Sequence, residues 1–178
     1  MADTVQEFYY LITDLHDLAN LESLYALNSV EEKDGQSLPD KMILGMDELV
    51  FFKRLLKTAG AEVYKRIHRR GRGITSPYKF NEEYDSVAGY IIYKLGFPEN
   101  FDTNLFDSID SQIKECLIFH VLAGWFSKQR NNFLAEEYKT YYNTNIDQLK
   151  SLIEMRTSVR RPSVFIDRYY TEEEEEDE

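Results

Sequence analysis

The last third of the chain constrains the fold most. Two amphipathic patterns run there at helical spacing, Ile109–Ser127 and Phe133–Thr157, and Asn131-Asn132 breaks the periodicity between them. The first stripe holds Ile109, Ile113, Cys116, Leu117, His120, Val121 and Gly124, wide enough to be buried over most of its circumference. The second holds Leu134, Tyr138, Tyr141, Tyr142, Leu149, Leu152 and Ile153, with Glu136, Glu137, Lys139, Asp147 and Lys150 on the other side. After the second helix comes Arg156-Thr-Ser-Val-Arg-Arg-Pro-Ser-Val-Phe165, and then the acidic run Glu172–Glu178. Pro162 blocks a continuing helix and favours an extended Arg161. Val164, Phe165, Ile166, Tyr169 and Tyr170 are too apolar for a free tail. The arm either packs back onto its own body or docks on a neighbour as an extended strand or anchor, with Arg160 and Arg161 directing register by charge.

Upstream, the spacing predicts a helix over Thr4–Asn28, with Phe8, Leu11, Ile12, Leu15, Leu18, Ala19, Leu21, Leu24, Tyr25 and Leu27 on one buried stripe. Ser29–Gln36 reads as a polar loop. Ser37-Leu-Pro-Asp40 starts the next helix, Ser37 as its cap. Leu49, Phe52, Leu56, Ala59, Val63 and Ile67 continue it, with Gly45 as a possible division and Gly71 and Gly73 as its end. Ile74–Asn81 is a loop or short extended piece around Pro77. Glu82–Leu95 reads as a shorter helix stopped by Gly96 and Pro98. Strand signals are few, and Ser163–Tyr170 is the best of them. The expected fold is therefore all-α: a bundle of four to five helices over residues 1–157, with 1–36 as an addition, and an extended arm and acidic tail over 158–178.

Composition bounds the rest. A chain of 178 residues favours one ordinary domain able to hide about 70% of its unfolded surface. Thirteen Tyr and eleven Phe supply contact area for a core or an interface. The net charge is −11, but seven acids sit in the terminal run, so the rest carries only −4. That balance argues against generic coating of nucleic acid. A single cysteine, Cys116, excludes an internal disulfide and fits a reducing compartment. Neither a membrane-spanning run nor a signal peptide is read, so the expectation is a protein made in the cytoplasm with no membrane partner.

Few residues carry chemistry. Cys116 and His120 lie four apart and could present a thiolate–imidazole pair or two metal ligands, but both fall in the apolar stripe and read as core. The acidic pairs Glu31-Glu32, Glu82-Glu83 and Glu136-Glu137 read as solvated faces. No phosphate-cradling Gly loop or hydrolase signature occurs. The expectation is a non-enzyme without cofactor or metal. The basic cluster Lys65, Arg66, Arg69, Arg70 and Arg72 can meet phosphates, meet acids of a neighbouring subunit, or complement its own helix dipole. The first option makes the chain a nucleic-acid-binding regulator. A plain protein-interaction module is a further alternative.

Ile109-Asp-Ser-Gln-Ile-Lys-Glu-Cys-Leu-Ile-Phe-His-Val-Leu-Ala-Gly-Trp-Phe126, then Phe133-Leu-Ala-Glu-Glu-Tyr138, then Leu152-Ile-Glu-Met-Arg-Thr-Ser-Val-Arg-Arg-Pro162 resembles the small helical head–tail connector (adaptor, or neck ring) proteins of tailed bacteriophages, in particular those of Bacteroidetes phages. The resemblance spans about residues 80–166. It implies a structural virion protein of the neck. Copies form a ring, usually a dodecamer, between the portal protein and the tail or further neck rings, and DNA passes through without specific binding. A terminal arm then reaches the portal or a neighbour, which assigns partner docking to Arg160, Arg161, Pro162, Phe165 and Tyr169. The cluster Lys65, Arg66, Arg69, Arg70 and Arg72 is expected to pair with acid-rich faces of the adjacent subunit. The N-terminal addition and the seven-acid tail depart from the simplest connector pattern.

Overall fold

Phe8 and Tyr10 lie two residues apart, and so do Ile91, Tyr93, Leu95 and Phe97 in turn. On a helix such neighbours point about 200° apart, and half of them would face water. On a strand they share one face. Burying a large apolar side chain is worth roughly 1.5–3 kcal/mol, so the strand wins wherever a partner strand is in reach. The computed structural model, which describes residues 4–34, 43–68, 77–82, 89–98 and 100–155, has strands in both places.

Among these residues the order is β1 (Thr4–Leu11), α1 (Ile12–Asp34), α2 (Leu49–Ile67), β2 (Tyr78–Asn81), β3 (Tyr90–Phe97), α3 (Phe106–Lys128) and α4 (Asn132–Glu154). Short 3-10 turns at Met46–Glu48 and Thr103–Leu105 lead into α2 and α3. The expected all-α bundle is thus overturned, because an antiparallel sheet in the order β1-β3-β2 joins the four helices. Two helix assignments fail for the same reason. Thr4–Leu11 was included in the first helix on the spacing of Phe8, Leu11, Ile12 and Leu15. The spacing of Tyr84, Val87, Ala88, Ile91, Ile92 and Leu95 predicts a helix over Glu82–Leu95, of which residues 83–88 lie outside the described residues and Tyr90–Leu95 is strand. Both sets fit a helix locally. The pairing Thr4↔Phe97 through Leu11↔Tyr90 overrides them, with every residue of β1 matched to one of β3.

The inner face of the sheet carries Phe8, Tyr10, Ile91, Tyr93, Leu95 and Phe97, all buried. Two hydroxyls tie it to the helices: Tyr93 donates to the Gly60 carbonyl at 3.0 Å, and Tyr10 to the Asp110 carbonyl at 3.4 Å. Gly60 lets β2 lie against α2, since a Cβ there would fall 2.5 Å from the Tyr78 hydroxyl. The outer face is mixed, with Val5 and Tyr9 exposed and Glu7 paired to Lys94 across the strands.

The helices α3 and α4 pack as a hairpin. Ile109, Ile113, Cys116, Leu117, Val121, Leu122, Trp125 and Phe126 are buried on α3, and Leu134, Ala135, Tyr138, Tyr142, Ile146, Leu149 and Ile153 on α4. Arg130 makes the turn in the left-handed region, φ 59°. The Asn131 side chain then accepts from the Leu134 amide at 3.2 Å and caps α4. The helix α2 lays Phe52, Leu56, Ala59, Val63 and Ile67 into the same core. The predicted start at Ser37 and the predicted stops at Gly71 and Gly73 lie outside the described residues, as does the predicted strand Ser163–Tyr170.

Candidate functional site

The helix α2 ends at Ile67 in a basic turn. Of the cluster expected between subunits, Lys65 and Arg66 stand there, exposed, while Arg69, Arg70 and Arg72 lie outside the described residues. Both described cations already face an acid of their own helix. The Arg66 Nε lies 3.1 Å from a Glu62 carboxylate oxygen, and the Lys65 Nζ 3.9 Å from the other. The hydrogen bond from Arg66 to Glu62 holds its guanidinium still more firmly protonated. An exposed pair at this spacing adds only a few tenths of a kcal/mol.

Beside Arg66 a half-open groove of about 410 Å³ runs between α2, α3 and α4, lined by Leu55, Thr58, Glu62, His120, Gly124, Lys139, Tyr142 and Asn143. The His120 ring meets Tyr142 edge-on, centroids 4.9 Å apart. Burial lowers the His120 pKa, an effect that Glu62 partly opposes. The Tyr142 hydroxyl is buried and has no hydrogen-bond partner among the described residues. Its pKa is pushed up to about 12, by burial first and then by Glu62. One turn before His120, Cys116 is wholly inside the core, and burial with Glu115 nearby pushes its thiol up to about 12. The thiol is therefore protonated near neutrality and does not pair with His120 as an activated nucleophile. Among the described residues no group of three or more His, Cys, Asp or Glu could hold a metal ion, and no helix is long and apolar enough to cross a membrane.

A second surface was missed by the reading of α1 as one buried stripe. The helix buries Ile12, Leu15, His16, Ala19, Ser23 and Leu27, but Leu18, Leu21 and Tyr25 are 45%, 52% and 69% exposed. At 100° per residue those three fall on the face opposite the buried set. Ten apolar positions in one predicted helix were more than a single stripe can hold, and this was the available signal. Asp14 lies in line with the exposed stripe, with Asp17 on one flank and Glu22 on the other. Glu22 also accepts from the Tyr138 hydroxyl at 3.0 Å. At its β1 end the stripe runs into a hollow of about 180 Å³ shared by Tyr9, Leu11, Asp14, Leu18 and Lys114. Scattered exposed apolar residues are ordinary, whereas a continuous row marks an interaction surface.

Arg160, Arg161, Pro162, Phe165 and Tyr169 lie outside the described residues. Their root does not. The end of α4 shares a hollow with the end of α2, lined by Lys65, Arg66, Ile67, His68, Lys150, Ile153 and Glu154. The same end of α2 stacks on β2 through Tyr64 and Tyr78, centroids 5.5 Å apart. The last turn of α4, which precedes the arm in sequence, thus lies beside the end of α2, whereas Glu22 of the α1 stripe meets Tyr138 near the start of α4. Comparison with known proteins finds no matching family model, no matching curated protein and no matching solved structure.

Proposed function

We propose that the chain is a structural subunit that assembles head to tail into a ring, and that the ring belongs to a phage neck, between portal and tail. One observation carries the assembly reading: α1 exposes Leu18, Leu21 and Tyr25 among acids near the start of α4, and an apolar, arginine-bearing arm follows the far end of α4 in sequence. A closed ring of identical copies needs two unlike, complementary patches on opposite sides of each copy. The stretch that carries the connector resemblance includes the hairpin of α3 and α4, with Trp125-Phe126 before the turn and a Tyr-rich helix after it, and this supports the reading. The stretch from 80 to 97 also enters that resemblance, but it contains strands and lends it no support.

In this reading Arg160, Arg161, Pro162, Phe165 and Tyr169 dock on a partner, and the mildly acidic body leaves DNA to pass without being gripped. The product belongs to the virion after synthesis in the host cytoplasm. Negative-stain electron microscopy of the purified full-length chain, with its mass measured by sedimentation, tests the assembly step. Rings of uniform copy number are expected. A monomer at tens of micromolar would refute the proposal. The neck assignment is tested separately, by asking whether those rings bind the portal protein encoded in the same genome.

A further inference from the structure

We propose that the acidic apolar stripe of α1 seats the arm 157–170 of a neighbouring copy. This rests on the head-to-tail reading above and names the contact it requires. The stripe offers Leu18, Leu21 and Tyr25 with Asp14, Asp17 and Glu22 among them, and Ile12–Asn28 contains no Lys or Arg. Within 157–170 the arm offers the opposite pattern, with Val164, Phe165, Ile166, Tyr169 and Tyr170 among Arg160, Arg161 and Arg168 against the single acid Asp167, and the acidic run Glu172–Glu178 that follows stays outside the proposed contact. Apolar groups supply the contact and the charges fix partner and register. Two copies of the stripe cannot pair face to face, because that sets three acids against three. A neighbour rather than the same chain is favoured because Glu22 of the stripe meets Tyr138 near the start of α4, whereas the arm follows the far end of that helix at Glu154.

The test uses two full-length chains, one carrying Leu21→Cys and the other Phe165→Cys, mixed and oxidised. Cys116 is fully buried and does not compete. The expected product is the mixed disulfide between the two chains. A Leu21→Cys homodimer as the main product means that the stripe meets itself, which overturns the proposal. So does a chain carrying both substitutions that closes a disulfide within itself and stays monomeric. As a second arm, Asp14→Arg is expected to weaken self-association about tenfold, and adding Arg161→Asp to restore it. Failure of that rescue also counts against the contact. Rings that form without the cross-link defeat this inference but leave the ring reading standing. A chain that never self-associates defeats both.

Discussion

The α3–α4 hairpin and the β1–α1 flank are both rich in large apolar residues, yet they spend them differently. The hairpin turns Trp125, Phe126, Leu134, Tyr138 and Leu149 inward and leaves mainly Phe133 and Tyr141 in water. The flank sends Phe8, Tyr10, Ile12 and Leu15 inward and leaves Val5, Tyr9, Leu18, Leu21 and Tyr25 exposed. A helix whose apolar residues all find one core is finished by folding. A helix with apolar residues on two opposite faces is finished only by a second contact. The difference separates a part of the molecule that serves stability from one that keeps an apolar face exposed among the described residues.

Trp125→Ala breaks the comparison most sharply. Its ring is fully buried and packs on Phe51 with centroids 5.9 Å apart. Truncation is expected to remove about 3–5 kcal/mol, a large share of the stability of a domain this size. Urea denaturation followed by circular dichroism should show the midpoint collapse or folding lost. If the loss is under 1 kcal/mol, the hairpin is not the stabilising centre. Tyr93→Phe probes the joint between sheet and helices. The hydroxyl donates to Gly60 at 3.0 Å inside the core, and its removal should cost about 1 kcal/mol in the same measurement. No change would mean that the bond does not anchor β3 to α2.

The hairpin's own turn gives a smaller effect of opposite sign. Arg130 holds φ 59°, a region that strains a side chain and suits glycine. Arg130→Gly relieves the strain but gains freedom in the unfolded chain, so a net stabilisation of about 0.5 kcal/mol is expected. A destabilised variant would mean that the Arg130 side chain contributes something beyond the turn.

The hairpin was legible because its stripes run for about five turns on each side of a polar break at Asn131-Asn132, and long periodicity fits one interpretation. The strands were not legible because they are short. Phe8 with Leu11 and Ile12 fits a period near 3.6, Phe8 with Tyr10 fits a period of 2, and eight residues cannot separate them. Partnership decided the matter: Phe8 stands opposite Tyr93 and Tyr10 opposite Ile91, more than eighty residues away in the chain. The β-branched and aromatic content of Tyr90-Ile-Ile-Tyr93 was the overlooked local hint. The exposed stripe was hidden by the same error. Once β1 is removed from the helix, α1 begins at Ile12 and its two apolar faces separate cleanly, with Leu15 and Ala19 inward and Leu18 and Leu21 outward.

Leu21→Ala should give the smallest change in the fold and decides what the stripe is for. At 52% exposure the side chain has little core to lose, so monomer stability should move by no more than about 0.5 kcal/mol. The comparison with Trp125→Ala then separates the two regions by nearly an order of magnitude in free energy. Self-association should respond in the reverse order. Leu21→Ala at unchanged unfolding midpoint should shift the sedimentation profile toward smaller species, because the contact proposed for it is one between copies. Urea titration at low protein concentration isolates the first quantity, and sedimentation velocity across a concentration series reads the second. A Leu21→Ala chain that loses 2 kcal/mol or more would show that the outer face of α1 is sealed within its own subunit, and the contrast between hairpin and flank would disappear.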